Sequence, residues 1–176
     1  MCLRMNTRTL RLIVVCLIAV AAAAVVKVGS ADAATTPARV ALLDRINLVR
    51  AEHGLRRVYP STQLRGAAQR HSLDMLRRNY FAHTSPTGST VFDRITHSGF
   101  VTGYASWLGG ETLAWGTASL AGARATVHAW MLSPEHRAIL MSPTYRWVGI
   151  SRECGHYHGH ANACVWTVDW VKRSEV

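Results

Sequence analysis

The chain has 176 residues, room for one domain of ordinary size and no second catalytic one. Apolar residues make up 49% and charged residues 17%, enough hydrophobic side chain for a sizeable core and well outside the disordered class. With 20 Lys plus Arg against 10 Asp plus Glu the formal charge is +10, part of it in an N-terminal leader.

Residues 1–34 carry the three regions of a secretory signal peptide: Arg4, Arg8 and Arg11 in front, an apolar stretch from Leu12 to Val26, and Ala31-Asp32-Ala33 as a small-x-small cleavage site. The apolar stretch spans about 15 residues where a membrane span needs roughly 20, and Gly29 follows. The expectation is therefore export and cleavage, leaving residues 35–176 as a single domain, secreted or held at the cell envelope, with no transmembrane span. An uncleaved anchor is the alternative. Val15 ahead of Cys16 does not suit lipoprotein processing. Cleavage removes Arg4, Arg8, Arg11, Lys27 and Asp32, four of the 20 basic and one of the 10 acidic residues, which leaves a net charge of +7. All the remaining basic residues except Lys172 are Arg, and they are scattered rather than gathered into a stripe. No nucleic-acid partner is expected. Attraction to anionic cell-surface polymers or lipid head groups fits this charge, as does a merely solvated Arg-rich surface.

Cys2 and Cys16 leave with the leader, and the remaining pair, Cys154 and Cys164, belongs to an exported chain in which thiols oxidise. A disulfide closing the segment GHYHGHANA is expected. Zinc held by these thiolates with His156, His158 and His160 is the alternative, although the close-spaced Cys pair of structural zinc sites is missing.

In chain order, Val40, Leu43, Ile46 and Val49, widened by Leu42, predict a helix from Pro37 to His53, with Thr36-Pro37 as cap and first-turn proline and Gly54 as its end. A second helix starts at Ser61, and Leu64, Ala68, His71 and Met75 fall on one face. His71 is thus expected to be a core histidine bonded to backbone rather than a catalytic one. The run HTSPTG turns at Pro86 and Gly88, and a short helix follows from Thr90 to about Ser98. A loop carrying Gly99, Gly103, Gly109 and Gly110 leads to a short strand, ETLAWG. Thr117 then caps a helix with Ala123, Val127, Trp130 and Met131 on its apolar face. Ser133 and Pro134 open another short helix through about Met141, with Glu135 and His136 in its first turn. Trp147 to Glu153 and Cys164 to Lys172 read as antiparallel strands, the second with Trp166, Val168 and Trp170 alternating with Thr167 and Asp169. Helices first and a hairpin last predict an α+β fold whose sheet is covered by helices.

Three polar residues stand where backbone-fixing residues flank them: His83, Glu111 and His136. Two histidines and a carboxylate suit a zinc ion with an open position, and equally a general base, a general acid and an orienting group. No HExxH motif or nucleophile elbow is present, and spacing alone does not bring the three together. His156, His158 and His160 would share a face on an extended strand and invite a second metal site, whereas Gly155 and Gly159 point to a loop.

The order HTSPTG, GGET, WMLSPEHRAILMSPTYRWVGI and a terminal WTVDW, after an opening helix with INLVRAEHGL, resembles the bacterial branch of the CAP superfamily, named for cysteine-rich secretory proteins, antigen 5 and pathogenesis-related protein 1. The resemblance spans nearly all of residues 35–176. It implies a three-layer α-β-α sandwich with a central antiparallel sheet and a cavity where two histidines and acidic residues meet, often around a divalent metal. His83 matches the first cavity histidine, Glu111 the glutamate of the Gly-Glu-Asn motif and His136 the second histidine. His83 and His136 are the implied metal ligands, with zinc favoured. Thr112 stands where Asn usually follows the glutamate, and Ile139 where the bacterial pattern has Asn. Trp130-Met131-Leu132-Ser133 offers no counterpart of the second cavity glutamate, and Glu135, next to His136, is rotated about 100° from it on a helix. The implied function is a binding or signalling module at or outside the cell envelope, with a lipid, cell-wall or other cell-surface ligand. The alternatives are a metal-assisted hydrolase of peptide or cell-wall bonds, with Glu111 or Glu135 as base, and an inert structural export.

Overall fold

In the computed structural model, which describes residues 31–174, the run from Ala163 to Val171 is buried at every position, so both faces of the strand that carries it are covered. The strands are β1 (Tyr59–Pro60), β2 (Ser106–Thr117), β3 (Trp147–Tyr157) and β4 (His160–Ser174). The helices are α1 (Ala31–Glu52), α2 (Thr62–Arg78), α3 (Val91–His97), α4 (Ala123–Leu132) and α5 (Pro134–Leu140), with a 3-10 turn over Ala118–Ala121. One sheet runs in the order β1-β3-β4-β2, antiparallel except for the β1–β3 pair.

The alternation in β4 divides the layers. Trp166, Val168 and Trp170 face Leu42, Ile46 and Val49 of α1, Val127 and Trp130 of α4 and Leu140 of α5. On the other face Val171 packs with Leu64 of α2 and Ile95 of α3, and Val165 with Met75 of α2. Thr167 and Asp169, which the alternation assigns to a polar face, are fully buried there because α2 lies on them. The helix comes so close that a Cβ on Gly149 would run into the Leu64 backbone. Each of the three fully buried tryptophans finds an acceptor for its indole N–H: Leu113 O for Trp130, Ala121 O for Trp166 and Thr112 Oγ1 for Trp170. Without one, each would carry an unsatisfied buried donor at a cost of about 1–3 kcal/mol. The layered α+β expectation holds.

Several boundaries differ from the sequence reading. The helix α1 begins at Ala31, so Pro37 lies inside it rather than in its first turn. Proline's fixed φ is compatible with helix, and the chain passes it with one hydrogen bond missing. The leader's basic front and apolar stretch lie outside the described residues. Gly109 and Gly110 belong to β2, not to a loop. Their glycines serve close approach: a Cβ would sit 2.9 Å from Ile95 Cδ1 at one and 2.7 Å from Tyr145 Oη at the other. Thr117 heads the 3-10 turn, and α4 follows Gly122 instead. Ser133 occupies the cap position of α5 without a side-chain cap bond.

The segment between the cysteines is mostly strand. Cys154 lies opposite Cys164 in the β3–β4 ladder, and the reversal is made by His158 and Gly159 alone, both at positive φ, as a tight hairpin requires. Buried Tyr157 donates its hydroxyl to Tyr80 O at 2.6 Å, and the His158 N–H donates to Asn79 Oδ1 at 2.8 Å, so the tip is pinned to the end of α2. Cys154 and Cys164 are joined as a disulfide, which removes the thiolate–zinc alternative. The mass of the oxidised protein should rise by two hydrogens on reduction, and Cys154→Ser with Cys164→Ser should lower the unfolding free energy by about 2–3 kcal/mol in a denaturant titration. Two free thiols in protein recovered from outside the cell would contradict this.

Candidate functional site

The site grows from the edge strand β2. Residues 107, 109, 111 and 113 point to the α2/α3 face, and the register sets Glu111 directly beside Asp169 of β4. Glu111 has a side chain only 1% exposed, yet it is well supplied with donors. The His83 Nδ1–H donates to Oε1 at 2.6 Å and the Arg94 guanidinium donates to Oε2 at 2.7 Å. His71 Nε2 lies 3.9 Å from Oε2. Burial alone would raise the Glu111 pKa, but the His83 hydrogen bond and the Arg94 guanidinium outweigh it and hold the carboxyl below its usual range. It is ionised at neutral pH.

Arg94 fixes the geometry. Its second terminal nitrogen also donates to His83 O at 2.9 Å, and its first donates to Ser89 O at 3.0 Å, so one side chain of α3 ties the 83–90 turn to β2. The capping box of Thr90 and Asp93 holds the start of that helix. On α2, His71 donates from Nε2 to Ala82 O at 3.0 Å, as expected for a core histidine, and burial lowers its pKa and keeps it neutral. It nevertheless forms part of the wall behind Glu111.

His136 comes from the opposite layer. It stands in the first turn of α5 with its ring 6.5 Å from that of Trp130, and its pKa is lowered by burial and then by the charge of His83. The two imidazoles are near enough to sense each other across the β2 edge. The position of α5 is set from α1: Arg50, fully buried, donates to Leu140 O at 2.6 Å and to Ser142 O at 3.0 Å. Asn47 clasps the Val58 backbone in both directions. Glu135 is exposed beside His136. Thr112 turns to the other face, where it accepts from Trp170.

Of the residues singled out from sequence, His83 and Glu111 are thus bonded, while His136, on α5, is linked to them only through the electrostatic influence of His83. The donor set suits a two-imidazole metal site. With Nδ1 committed to Glu111, His83 presents Nε2 on a side chain that is 55% exposed, and burial lowers the pKa of His136. Among the described residues no three His, Cys, Asp or Glu side chains gather as a metal cage, at this site or at the His156–His160 tip.

Asp169 and Arg94 escaped the sequence reading. The signal for Arg94 was its place one turn after Val91 on the buried face of a short helix, and for Asp169 its place in a strand whose two faces are both covered. Asp169 is fully buried, and neither oxygen has a partner in hydrogen-bonding geometry. Burial and the adjacent Glu111 charge push its pKa well above the usual range. The two carboxyls are thus pushed in opposite directions, Glu111 down and Asp169 up. A carboxyl raised in the folded state takes up its proton more readily than in the unfolded chain, where it titrates at about 3.9, so its contribution to stability falls as pH rises above that value. Asp169→Asn should accordingly be more stable than the parent at pH 7, with the advantage shrinking toward pH 4 in thermal melts. An advantage independent of pH would contradict a protonated Asp169.

The description "CAP: Cysteine-rich secretory protein family" matches residues 43–170. An uncharacterized membrane protein of Bacillus subtilis is 29% identical over 117 residues, 66% of this chain and 32% of that protein. The chain spans 32% and 40% of the two curated relatives it matches in that organism. An outer surface protein of Borrelia burgdorferi superposes with a TM-score of 0.66 at 21% identity, over 80% of this chain and 96% of the other. A Bacillus anthracis extracellular protein containing an SCP domain gives 0.62 at 27% identity, over 77% and 40%. With the α-β-α layers and the His83–Glu111 pair in place, the chain belongs to the cysteine-rich secretory protein (CAP) family.

Proposed function

We propose that this is an exported CAP-domain binding or signalling module that works at or outside the cell envelope and takes a lipid, cell-wall or other cell-surface ligand at the cavity of His83, Glu111 and His136. Among the described residues no helix is long and apolar enough to cross a membrane, and similar structures are described as outer-surface or extracellular proteins.

The observation that carries the reading is the state of Glu111. Both of its oxygens are engaged, by His83 and by Arg94, inside a nearly complete burial. Its role is to orient His83 and hold the Nδ1 proton, leaving Nε2 to meet a ligand. A general base in hydrolysis must instead be free to take a proton from water. A hydrolase would have to use Glu135, which is exposed.

His83 and His136 are the residues that would hold a divalent metal, zinc by preference, and the ion would supply a positive pole for an anionic or carbonyl group of the ligand. Titration of the purified protein should give one zinc equivalent, lost in His83→Ala and in His136→Ala, weakened about 10- to 100-fold in Glu111→Gln, and unchanged in His158→Ala. The zinc-loaded protein should release no fragments from cell-wall or peptide substrates. Unchanged binding in His83→Ala would overturn the metal assignment, and turnover abolished by Glu135→Gln would establish the hydrolase.

A further inference from the structure

A cavity of about 570 Å³ opens between α2 and α3 and includes neither His83 nor His136 in its lining. Its volume falls within the range of small-molecule sites. Arg70 and Arg77 stand about two turns apart on α2, Arg94 and His97 come from α3, and Thr87 and Ser89 from the turn between them. The charge is one-sided. Asp74 is the lone carboxylate in the lining, and it is already met by Arg78 Nε at 2.8 Å and by the Tyr80 hydroxyl at 2.7 Å. Among the described residues Arg70 and Arg77 have no ion-pair partner.

Arg94 also lines the cavity, but its terminal nitrogens are occupied by Ser89, His83 and Glu111 and its Nε is buried, so it contributes charge rather than a free donor. An oxyanion seated in the cavity would be held by the exposed Arg70 and Arg77 guanidinium groups, whose planar forks match phosphate oxygens. The cavity is several times larger than a phosphate, and beside hydroxyls and imidazoles Leu73 is the one aliphatic side chain in its lining. The body attached to the anion is therefore polar.

We propose that the α2/α3 cavity is a binding site for a phosphate ester of a sugar or polyol, with Arg70 and Arg77 as the anion clamp, Arg94 at its floor, and Thr87, Ser89 and His97 toward the polyol. It is separate from the His83–His136 cavity and does not depend on the function proposed for that cavity. Arg94 is the wall the two share.

The test is calorimetric titration of the purified protein with glucose 6-phosphate, glycerophosphoglycerol, inorganic phosphate and glucose. Saturable one-to-one binding of the monoester or the diester is expected, tighter than inorganic phosphate, with none for glucose. The monoester points to a free sugar phosphate as the source, and the diester to a polyol-phosphate polymer. Arg70→Ala with Arg77→Ala, both on the surface, should weaken binding by at least about 100-fold, tenfold for each guanidinium, whereas His158→Ala, at the distant hairpin tip, should leave it unchanged. The proposal is overturned if neither ester binds below about 10 mM, a range weaker than ordinary recognition. It is also overturned if glucose or inorganic phosphate binds as well as the esters, or if the double variant, shown folded by its melt, binds like the parent.

Discussion

A carboxylate held ionised inside the protein, Glu111, is the constraint around which the site is arranged. Its negative charge is tolerated because His83 and Arg94 meet one oxygen each, and that charge in turn pushes the pKa of Asp169, next to it in the sheet, upward. Taking a lone carboxylate out of water costs many kcal/mol, so the turn that carries His83 and the helix that carries Arg94 have to close on β2 together. Each of these contacts joins segments distant in sequence. The local order of residues 83–97 and the charge state of the sheet are thus one problem with one solution.

The edge position of β2 has a functional consequence. A strand in the middle of the sheet would keep the two helical layers apart, whereas at the edge a side chain from the 83–90 turn can approach one from α5. The α5 end of that approach is built by residues far from any ligand. Arg50 satisfies the carbonyls at the end of α5, and Asn47 fixes the chain entering β1. The opening-helix pattern through which the chain resembles its family is therefore a positioning device for His136.

Much of this was legible in the sequence. The three-to-four periodicity of α2 placed Leu64, Ala68, His71 and Met75 correctly, the start set at Thr90 falls one residue before α3, and the Pro134 start was found to the residue. His83, Glu111 and His136 were singled out by the residues that flank them and by resemblance. What escaped was everything that depends on which residues oppose which. Period-two alternation assigns Asp169 to a polar face without revealing that α2 covers it. A double glycine reads as a loop unless Ile95 and Tyr145 are known to press on it. A parallel strand of two residues, β1, leaves no periodic trace. The hairpin extends through the cysteines because Tyr157 is anchored by Tyr80, a contact between residues 77 positions apart.

The central claim is that Glu111 and Arg94 act as one buried charge pair. The most direct measurement is a double-mutant cycle of Glu111→Gln and Arg94→Met, followed by denaturant unfolding. Each single substitution leaves its former partner buried and uncompensated, a loss of about 3–5 kcal/mol for a pair of this kind. The account predicts that the double variant is destabilised by much less than the sum of the two singles, a coupling well above the few tenths of a kcal/mol seen between independent sites. Additive losses would show that the two residues stabilise the fold separately, and the site would then not rest on their pairing.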